Sequence, residues 1–503
     1  MRTNTQALAG RAMATLCLGA SLPALAAPST AHYRNVLDVA EDQPELLCND
    51  GTVPIFYVHE GTTEPNRWVI YFEGGSSCQS PDDCEDRFDA DTRAKMGSGC
   101  YFSGSGVTCG QSIGAFDPSG GLTPPGPVKS FNGLLVDTDP ATPAAAVQPY
   151  DGWTHVYLDY CSSDTWSGQG GVMPTEEAGF TFSDFFEQLD ISPAPTGWPP
   201  AWTALSPWGT GAFENVWITD QHAGAWASTP YAWTFHEDAI FFNGHNIVAA
   251  VLEQLRSGTL VVGVDTVNPD LSIDDAVEVL VAGSSAGGVG ARTNLDFIAD
   301  WVAAVAPTAE VRGLIEAAYT GGSHPDIPTW PALSESVVGD WEGSPSRTLI
   351  WNAFIDQSCA ARLPDVWQDF PYEASADYMR CGELGELIAG DDLETPYFAR
   401  HALWDAITRP DAGAAGTTGV AARKRAQQQY IEYGGWHITQ ESQLGGFYFD
   451  CDTTHVQLPF AAFYNEALDT TGLSGSTDTF AETVGRWRDG APGAHRASMA
   501  CNP

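Results

Sequence analysis

Val277-Glu278-Val279-Leu280-Val281-Ala282-Gly283-Ser284-Ser285-Ala286-Gly287-Gly288 places an apolar run directly before a turn of small residues centred on a serine. The segment that follows, 289–305, carries Leu295, Ile298 and Val302 along one helical face. A nucleophilic serine needs this order, because its hydroxyl projects only where a strand turns sharply into a helix, and glycines on either side tolerate the crowding. The G-x-S-x-G pattern alone does not select: Gly110-Gln111-Ser112-Ile113-Gly114 also fits. That copy lies in a Cys- and Gly-rich loop with no strand before it and no helix after it. Ser285 is therefore the expected nucleophile.

Outward from this turn, short apolar runs alternate with helical spacing. Arg67-Trp68-Val69-Ile70-Tyr71-Phe72 is stopped by Gly74-Gly75, and His155-Val156-Tyr157-Leu158-Asp159-Tyr160 is a second run. Ile247, Val248, Val251, Leu252 and Leu255 recur at helical spacing, and Thr348-Leu349-Ile350-Trp351-Asn352-Ala353-Phe354 is a further strand candidate. Strands alternating with helices predict an α/β fold with a mostly parallel sheet covered by helices on both faces, of the α/β-hydrolase type. Two stretches break the rhythm. Residues 180–235 are rich in Pro, Gly and aromatics, with Trp198, Trp202, Trp208, Trp217, Trp226 and Trp233, and read as an insertion with its own small core or a lid beside the site. Residues 411–422 are Gly-, Ala- and Thr-rich and read as a surface loop.

The N-terminus sets the compartment. Arg2 and Arg11 precede an apolar run ending Pro23-Ala24-Leu25-Ala26-Ala27-Pro28, which reads as a signal peptide cleaved after Ala26. The run is shorter than the ~20 residues a membrane span needs, and no later segment offers one. The expected mature protein is thus exported, a single domain over 27–503. With 43% hydrophobic and 17% charged residues, the 503-residue chain can bury a large core. The net charge of −42 repels polyanions at long range, which argues against nucleic acid, although a screened local site for an acidic polysaccharide survives a Debye length of ~8 Å.

Export also decides how the cysteines are read. Of the 11, Cys17 leaves with the leader, so ten remain, and none shows the spacing of a zinc site. Loop length suggests Cys78 with Cys84, Cys100 with Cys109, and Cys359 with Cys381 as local bridges. Cys451 with Cys501 and Cys48 with Cys161 complete the expected framework. The acidic cluster of Asp82, Asp83, Glu85, Asp86, Asp89 and Asp91 lacks the alternation of a calcium loop, so no metal and no cofactor are expected.

A serine hydroxyl becomes a useful nucleophile when a histidine takes its proton and a carboxylate holds that histidine in one tautomer. In this fold class acid and histidine follow the serine in chain order. Asp356 ends the strand candidate at 348–354, and His401, His437, His455 and His495 lie downstream. Spacing alone leaves His455 and His437 both open.

Several segments in order along the chain resemble the pectin acetylesterase and Notum family of carboxylesterases. They are Cys48-Asn49-Asp50-Gly51, Ile70-Tyr71-Phe72-Glu73-Gly74-Gly75, Tyr160-Cys161-Ser162-Ser163-Asp164-Thr165-Trp166-Ser167-Gly168, and Gly283 to Gly288. Thr483-Val484-Gly485-Arg486-Trp487 and Cys501-Asn502-Pro503 look like that family's closing motifs. The resemblance implies a triad of Ser285, Asp356 and His455, with Cys451 and His455 one residue further apart than the family pattern. It also implies backbone N–H groups of Gly75, Ser76 and Ala286 as the oxyanion donors, and Trp166 as a substrate contact. The activity so implied is removal of O-acyl groups, acetyl first, from a polysaccharide or other acylated biopolymer. A glycan-binding protein on a hydrolase scaffold and an acyltransferase are the alternatives.

Overall fold

The computed structural model describes residues 30–39, 43–77, 87, 96–103, 106–109, 127–131, 133–136, 150–169, 171–174, 239–264, 266–318, 354, 356, 358–359, 387, 392–402, 405, 445–450, 454–458, 479–490 and 496–498. The leader, the Trp-rich stretch 180–235, the loop 411–422, Ser112 and His437 lie outside these residues.

Ten strands form one sheet: β1 (Thr30–Val36), β2 (Ile55–His59), β3 (Glu64–Phe72), β4 (Val128–Phe131), β5 (Trp153–Leu158), β6 (Glu278–Ser284), β7 (Glu310–Glu316), β8 (Tyr397–Ala402), β9 (Gly446–Asp450) and β10 (Arg496–Ser498). Their order is β10-β9-β8-β7-β6-β3-β5-β2-β1-β4. All pairs from β10 to β5 are parallel, and β2, β1 and β4 extend the sheet antiparallel. The fold is α/β with a mostly parallel sheet, as the alternation of strand and helix patterns predicts.

The middle strands are apolar for a physical reason. β6 and β5 are buried at every position, which a strand flanked by partners and covered on both faces requires. Each fully buried large apolar side chain, such as Val279, Val281 or Ile70, stabilises the fold by about 1.5–3 kcal/mol. The helix α1 (Gly244–Gln254) buries Ile247, Val248, Val251 and Leu252, matching its sequence spacing. The helical segment expected over 289–305 divides in two, α2 (Ala286–Thr293) and α3 (Leu295–Val305). The break is at Asn294, whose side-chain amide donates to the carbonyls of Gly290 and Trp166, each at 2.9 Å. Near the C-terminus, α4 (Phe480–Arg488) starts with a reciprocal Thr479–Glu482 capping box and packs Phe480 and Trp487 against Phe398 of β8.

Beyond β7 the sheet continues with a strand from later in the chain than the candidate at 348–354. The strand paired there is β8, in register Gly313↔Tyr397 to Glu316↔Arg400. Its sequence, Tyr397-Phe398-Ala399-Arg400-His401-Ala402, is buried throughout despite Arg400 and His401. Residues 348–353 lie outside the described part.

The chain reverses direction across the sheet between β3 and β6. After β3 it forms β4 at the far edge and β5 beside β3 on that side, and later returns to β6 on the other. The C-terminal edge at such a switch point is where open α/β sheets leave a crevice, and the loop after β3 and the turn after β6 both face it.

Two disulfides lie within the described residues, Cys48–Cys161 and Cys100–Cys109, the second closing the hairpin of Cys100–Ser103 and Gly106–Cys109. Cys359 is also disulfide-bonded, while Cys78, Cys84, Cys381, Cys451 and Cys501 lie outside the described part. Cys48–Cys161 spans a sequence separation of 113 and ties the segment before β2 to the loop after β5. Replacing both cysteines with alanine is expected to lower unfolding stability by up to about 4–5 kcal/mol in the chain-entropy picture. Guanidinium unfolding of the double variant measures it.

Candidate active site

Ser285 follows β6 and caps α2, with φ 59° and ψ −126°. A non-glycine residue in that region is strained, and the surrounding packing must hold it there. Its N–H donates to the Glu316 carbonyl at 3.0 Å and its own carbonyl receives Val289 N–H at 3.0 Å. The flanking glycines are required sterically: a Cβ on Gly283 would lie 2.1 Å from the Gly287 carbonyl, and one on Gly287 would lie 2.0 Å from that of Phe72. Any side chain at either position would push α2 off the sheet.

The loop after β3 lies against this turn. A Cβ on Gly74 would come within 2.5 Å of the Ser284 carbonyl and 3.1 Å of the Ser285 Cβ. Gly75 and Ser76 have φ 153° and 65°. Ser76, Ser163, Thr165, Trp166, Ser285 and Ala317 are the non-glycine residues with positive φ among those described. They follow the ends of β3, β5, β6 and β7, four neighbouring strands, so backbone strain concentrates on one side of one edge of the sheet. Ala286 opens α2, whose first N–H groups have no partner within the helix. Of the three residues expected as oxyanion donors, Ala286 adjoins Ser285 in sequence, and Gly75 and Ser76 directly follow Gly74, which packs against it.

The histidine loop completes the cluster. His455 comes from the segment 454–458 after β9, and its Nε2 lies 2.7 Å from Ser285 Oγ. Its Nδ1 lies 2.5 Å from Oδ2 of Asp405, whose side chain is fully buried. Asp405 sits three residues beyond β8 and donates its N–H to the Ala402 carbonyl at 3.1 Å. A hydrogen-bonded chain of hydroxyl, imidazole and carboxylate can move the serine proton to Nε2 and stabilise the imidazolium that results.

Two expectations are corrected here. Asp356 does not meet the imidazole; its Oδ1 accepts the Cys359 N–H at 2.9 Å, and the position expected for it belongs to Asp405. Asp405 follows β8, the strand paired with β7. Burial pushes the Asp356 carboxyl up to about 7, against the Cys359 N–H, which favours the charged form. Asp296 and Asp392 add to the rise. Trp166 is wholly buried, so it offers no face to a substrate. Its indole N–H donates to the Glu73 carbonyl at 3.0 Å, its ring meets Phe72 edge-on, and a Cβ on Gly290 would strike it at 2.5 Å. It braces the loop after β3 against α2.

The pectinacetylesterase family model matches residues 29–107, the segment from β1 through the loop after β3 to the Cys100–Cys109 hairpin. The palmitoleoyl-protein carboxylesterase notum2 of Xenopus laevis is 22% identical over 331 residues, 65% of this chain and 45% of its own. Over these segments the chain is similar to pectinacetylesterases and to Notum carboxylesterases. The Wnt deacylase Notum from Drosophila has the same fold, with TM-score 0.55, 18% identity and coverage of 94% of this chain and 97% of that one. An inactive palmitoleoyl-protein carboxylesterase, notum1b of Danio rerio, is 26% identical over 123 residues, covering 24% of this chain and 66% of its own. The chain spans less than half the length of the Xenopus relative.

The Asp356 carboxyl yields a pH prediction. Its folded pKa lies above its unfolded value of 3.8, so the folded state binds the proton more tightly. The stability this group contributes is present below about pH 4 and is lost as pH rises toward about 7. Asp356→Asn is expected to remove that falling slope, which urea unfolding of both proteins across this window would reveal. Equal slopes would place the carboxyl's titration elsewhere.

Proposed function

We propose that the chain is an exported serine carboxylesterase that removes O-acyl groups, acetyl first, from a polysaccharide or another acylated biopolymer. The reading rests on one observation, the chain Ser285 Oγ–His455 Nε2 at 2.7 Å and His455 Nδ1–Asp405 Oδ2 at 2.5 Å. A family that includes an inactive relative makes that chain of contacts the feature to weigh, and a glycan-binding scaffold has no use for it.

In this reading Ser285 Oγ attacks the ester carbonyl as His455 takes its proton. The oxyanion forms against the N–H groups of Gly75, Ser76 and Ala286, each such donor contributing about 2.7–4 kcal/mol. Collapse expels the alcohol, which leaves with the proton from His455. Water, activated by the same imidazole, then releases the acid from the acyl-enzyme. Asp405 holds Nδ1 protonated throughout. Acyl transfer to an alcohol acceptor uses the same groups and differs only in what replaces water.

The disulfides within the described residues support action in an oxidising compartment, in keeping with the leader sequence. Among the described residues no helix is long and apolar enough to cross a membrane. The net charge of −42 favours a neutral or partly esterified glycan over a densely anionic one. The palmitoleoyl esterase relatives make a long acyl chain the second reading.

Hydrolysis of p-nitrophenyl esters of increasing chain length, followed by acetate release from acetylated polysaccharides, separates the two. Short-chain preference with acetate release is expected; turnover confined to long acyl chains would favour the second reading. Ser285→Ala and His455→Ala should abolish turnover, and Asp405→Asn should lower kcat by about 10⁴-fold through the wrong tautomer. Asp356→Asn should stay close to wild type. Full activity in folded Asp405→Asn would remove Asp405 from the triad.

A further inference from the structure

Ser285 and His455 come from loops 170 residues apart in sequence, yet their reacting atoms lie 2.7 Å apart. Something behind them has to fix that distance. The C-terminal end of β7 reaches both loops through Glu316, whose side chain is completely buried.

On the serine side, the Glu316 backbone carbonyl accepts the Ser285 N–H at 3.0 Å. Its carboxylate Oε2 accepts the Ser284 hydroxyl at 2.5 Å, and that hydroxyl also meets the Tyr71 hydroxyl at 2.8 Å. On the histidine side, Oε1 accepts the Gln457 N–H at 2.7 Å, and the Leu458 N–H reaches Oε2 at 3.0 Å. The same Oε1 pairs with Arg400 Nη1 at 3.1 Å. Arg400, equally buried, directs Nε and Nη2 to Asp450 Oδ2 at 3.0 and 2.8 Å, and Nη1 lies 3.4 Å from the carbonyls of Thr454 and His455.

We propose that Glu316, held by Arg400, is a positioning residue that sets the separation of Ser285 and His455. This rests on the triad reading above and adds to it a group that touches no substrate. A carboxylate removed from water has a strong need for donors, and Glu316 finds them in the two segments that carry the reacting side chains. Moving either loop would leave a buried charge short of a hydrogen bond. The pair therefore opposes drift of the His455 loop away from Ser285, a role for which an amide is a poor substitute. In Glu316→Gln one oxygen becomes an NH₂ group. In one amide orientation it faces the Leu458 N–H, donor against donor; in the other it faces the Gln457 N–H and the Arg400 guanidinium.

The test separates position from fold by pre-steady-state hydrolysis of p-nitrophenyl acetate. Burst amplitude counts competent molecules and burst rate reports acylation. Glu316→Gln and Glu316→Ala should keep the amplitude while the burst rate falls by about tenfold to 10²-fold, the larger loss in the alanine, as expected for a reacting pair displaced by about 1 Å. KM should change little. Asn35→Ala, which cuts the part-buried hydrogen bonds of β1 to Val261 at the far side of the sheet, is the stability control. It should lower the melting temperature and leave the burst rate intact. A reduced amplitude at wild-type rate in both Glu316 variants, or an unchanged rate in folded Glu316→Gln, would overturn the proposal. Ser285→Ala is run alongside: a burst surviving that change sinks the triad reading itself, whereas loss there with unaltered Glu316 variants sinks only the positioning role.

Discussion

Ser285 sits at φ 59°, where a side chain is unwelcome, and the rest of the site is arranged so that it cannot relax. A strained residue of this kind costs roughly 1–3 kcal/mol and persists only where its surroundings over-determine it. Here the restraint comes from every direction. Gly283 and Gly287 let the strand and helix approach so closely that no other backbone path fits. Gly74 brings the loop after β3 against Ser284 and Ser285. Behind α2, Trp166 fills the space left by Gly290. Trp166 is itself fixed by Asp164, whose carboxylate accepts N–H groups of Trp166, Gly168 and Gly244. The Asp164 carboxyl is pushed up to about 6 by burial, although those bonds pull the other way. The buried carboxyl thus stitches the loop after β5 to the start of α1, and through Trp166 supports the turn at Ser285.

What was legible in the sequence follows from how local each signal is. The turn at Ser285 is written in six adjacent residues, and β3, β5, β6 and α1 carry uninterrupted apolar patterns. These elements are found within a few residues of where the pattern puts them. The histidine was one of two candidates on spacing, narrowed to His455 by resemblance. The acid was missed because its strand does not look like one. Arg400 and His401 interrupt the apolar run of β8, and a charged residue in a buried strand reads as a turn or a surface. Its burial is made possible by Glu316 and Asp450, which lie on the neighbouring strands β7 and β9 and are remote in sequence. A signal did exist: Arg400, Glu316 and Asp450 each stand at or near the end of an otherwise apolar segment. Only the sheet order turns those three observations into one.

The choice between Asp356 and Asp405 shows the same limit from the other side. Both are buried aspartates, and Asp356 had the cleaner apolar run before it. Their surroundings differ in kind. Asp405 lies within hydrogen-bond reach of an imidazole, whereas Asp356 is pushed toward its neutral form by burial and, to a lesser degree, by Asp296 and Asp392. A carboxyl pushed toward neutrality is a poor partner for an imidazolium. Neighbours drawn from distant parts of the chain thus assign opposite tasks to two residues that look alike in sequence.

The same economy of charge governs the other flank of the site. The chain has 22 Lys and Arg against 64 Asp and Glu, so each cation used inside is conspicuous. Lys129 of β4 lies 3.1 Å from Asp159 and 3.7 Å from Glu73, with its ammonium 4.5 Å from the Tyr157 ring centre. Burial alone would lower its pKa, yet the two carboxylates raise it, so it stays charged. Glu73 begins the loop that leads to Gly75 and Ser76, and it accepts the Tyr160 N–H at 2.9 Å. On one flank a cation between two carboxylates, Arg400 with Glu316 and Asp450, stands behind the histidine loop. On the other, Lys129 with Glu73 and Asp159 stands behind the loop of the proposed oxyanion donors. The antiparallel strands beyond β5 therefore do more than lengthen the sheet: they carry the cation that anchors the second loop, and on each flank of Ser285 and His455 two carboxylates share one cation within a strongly acidic protein.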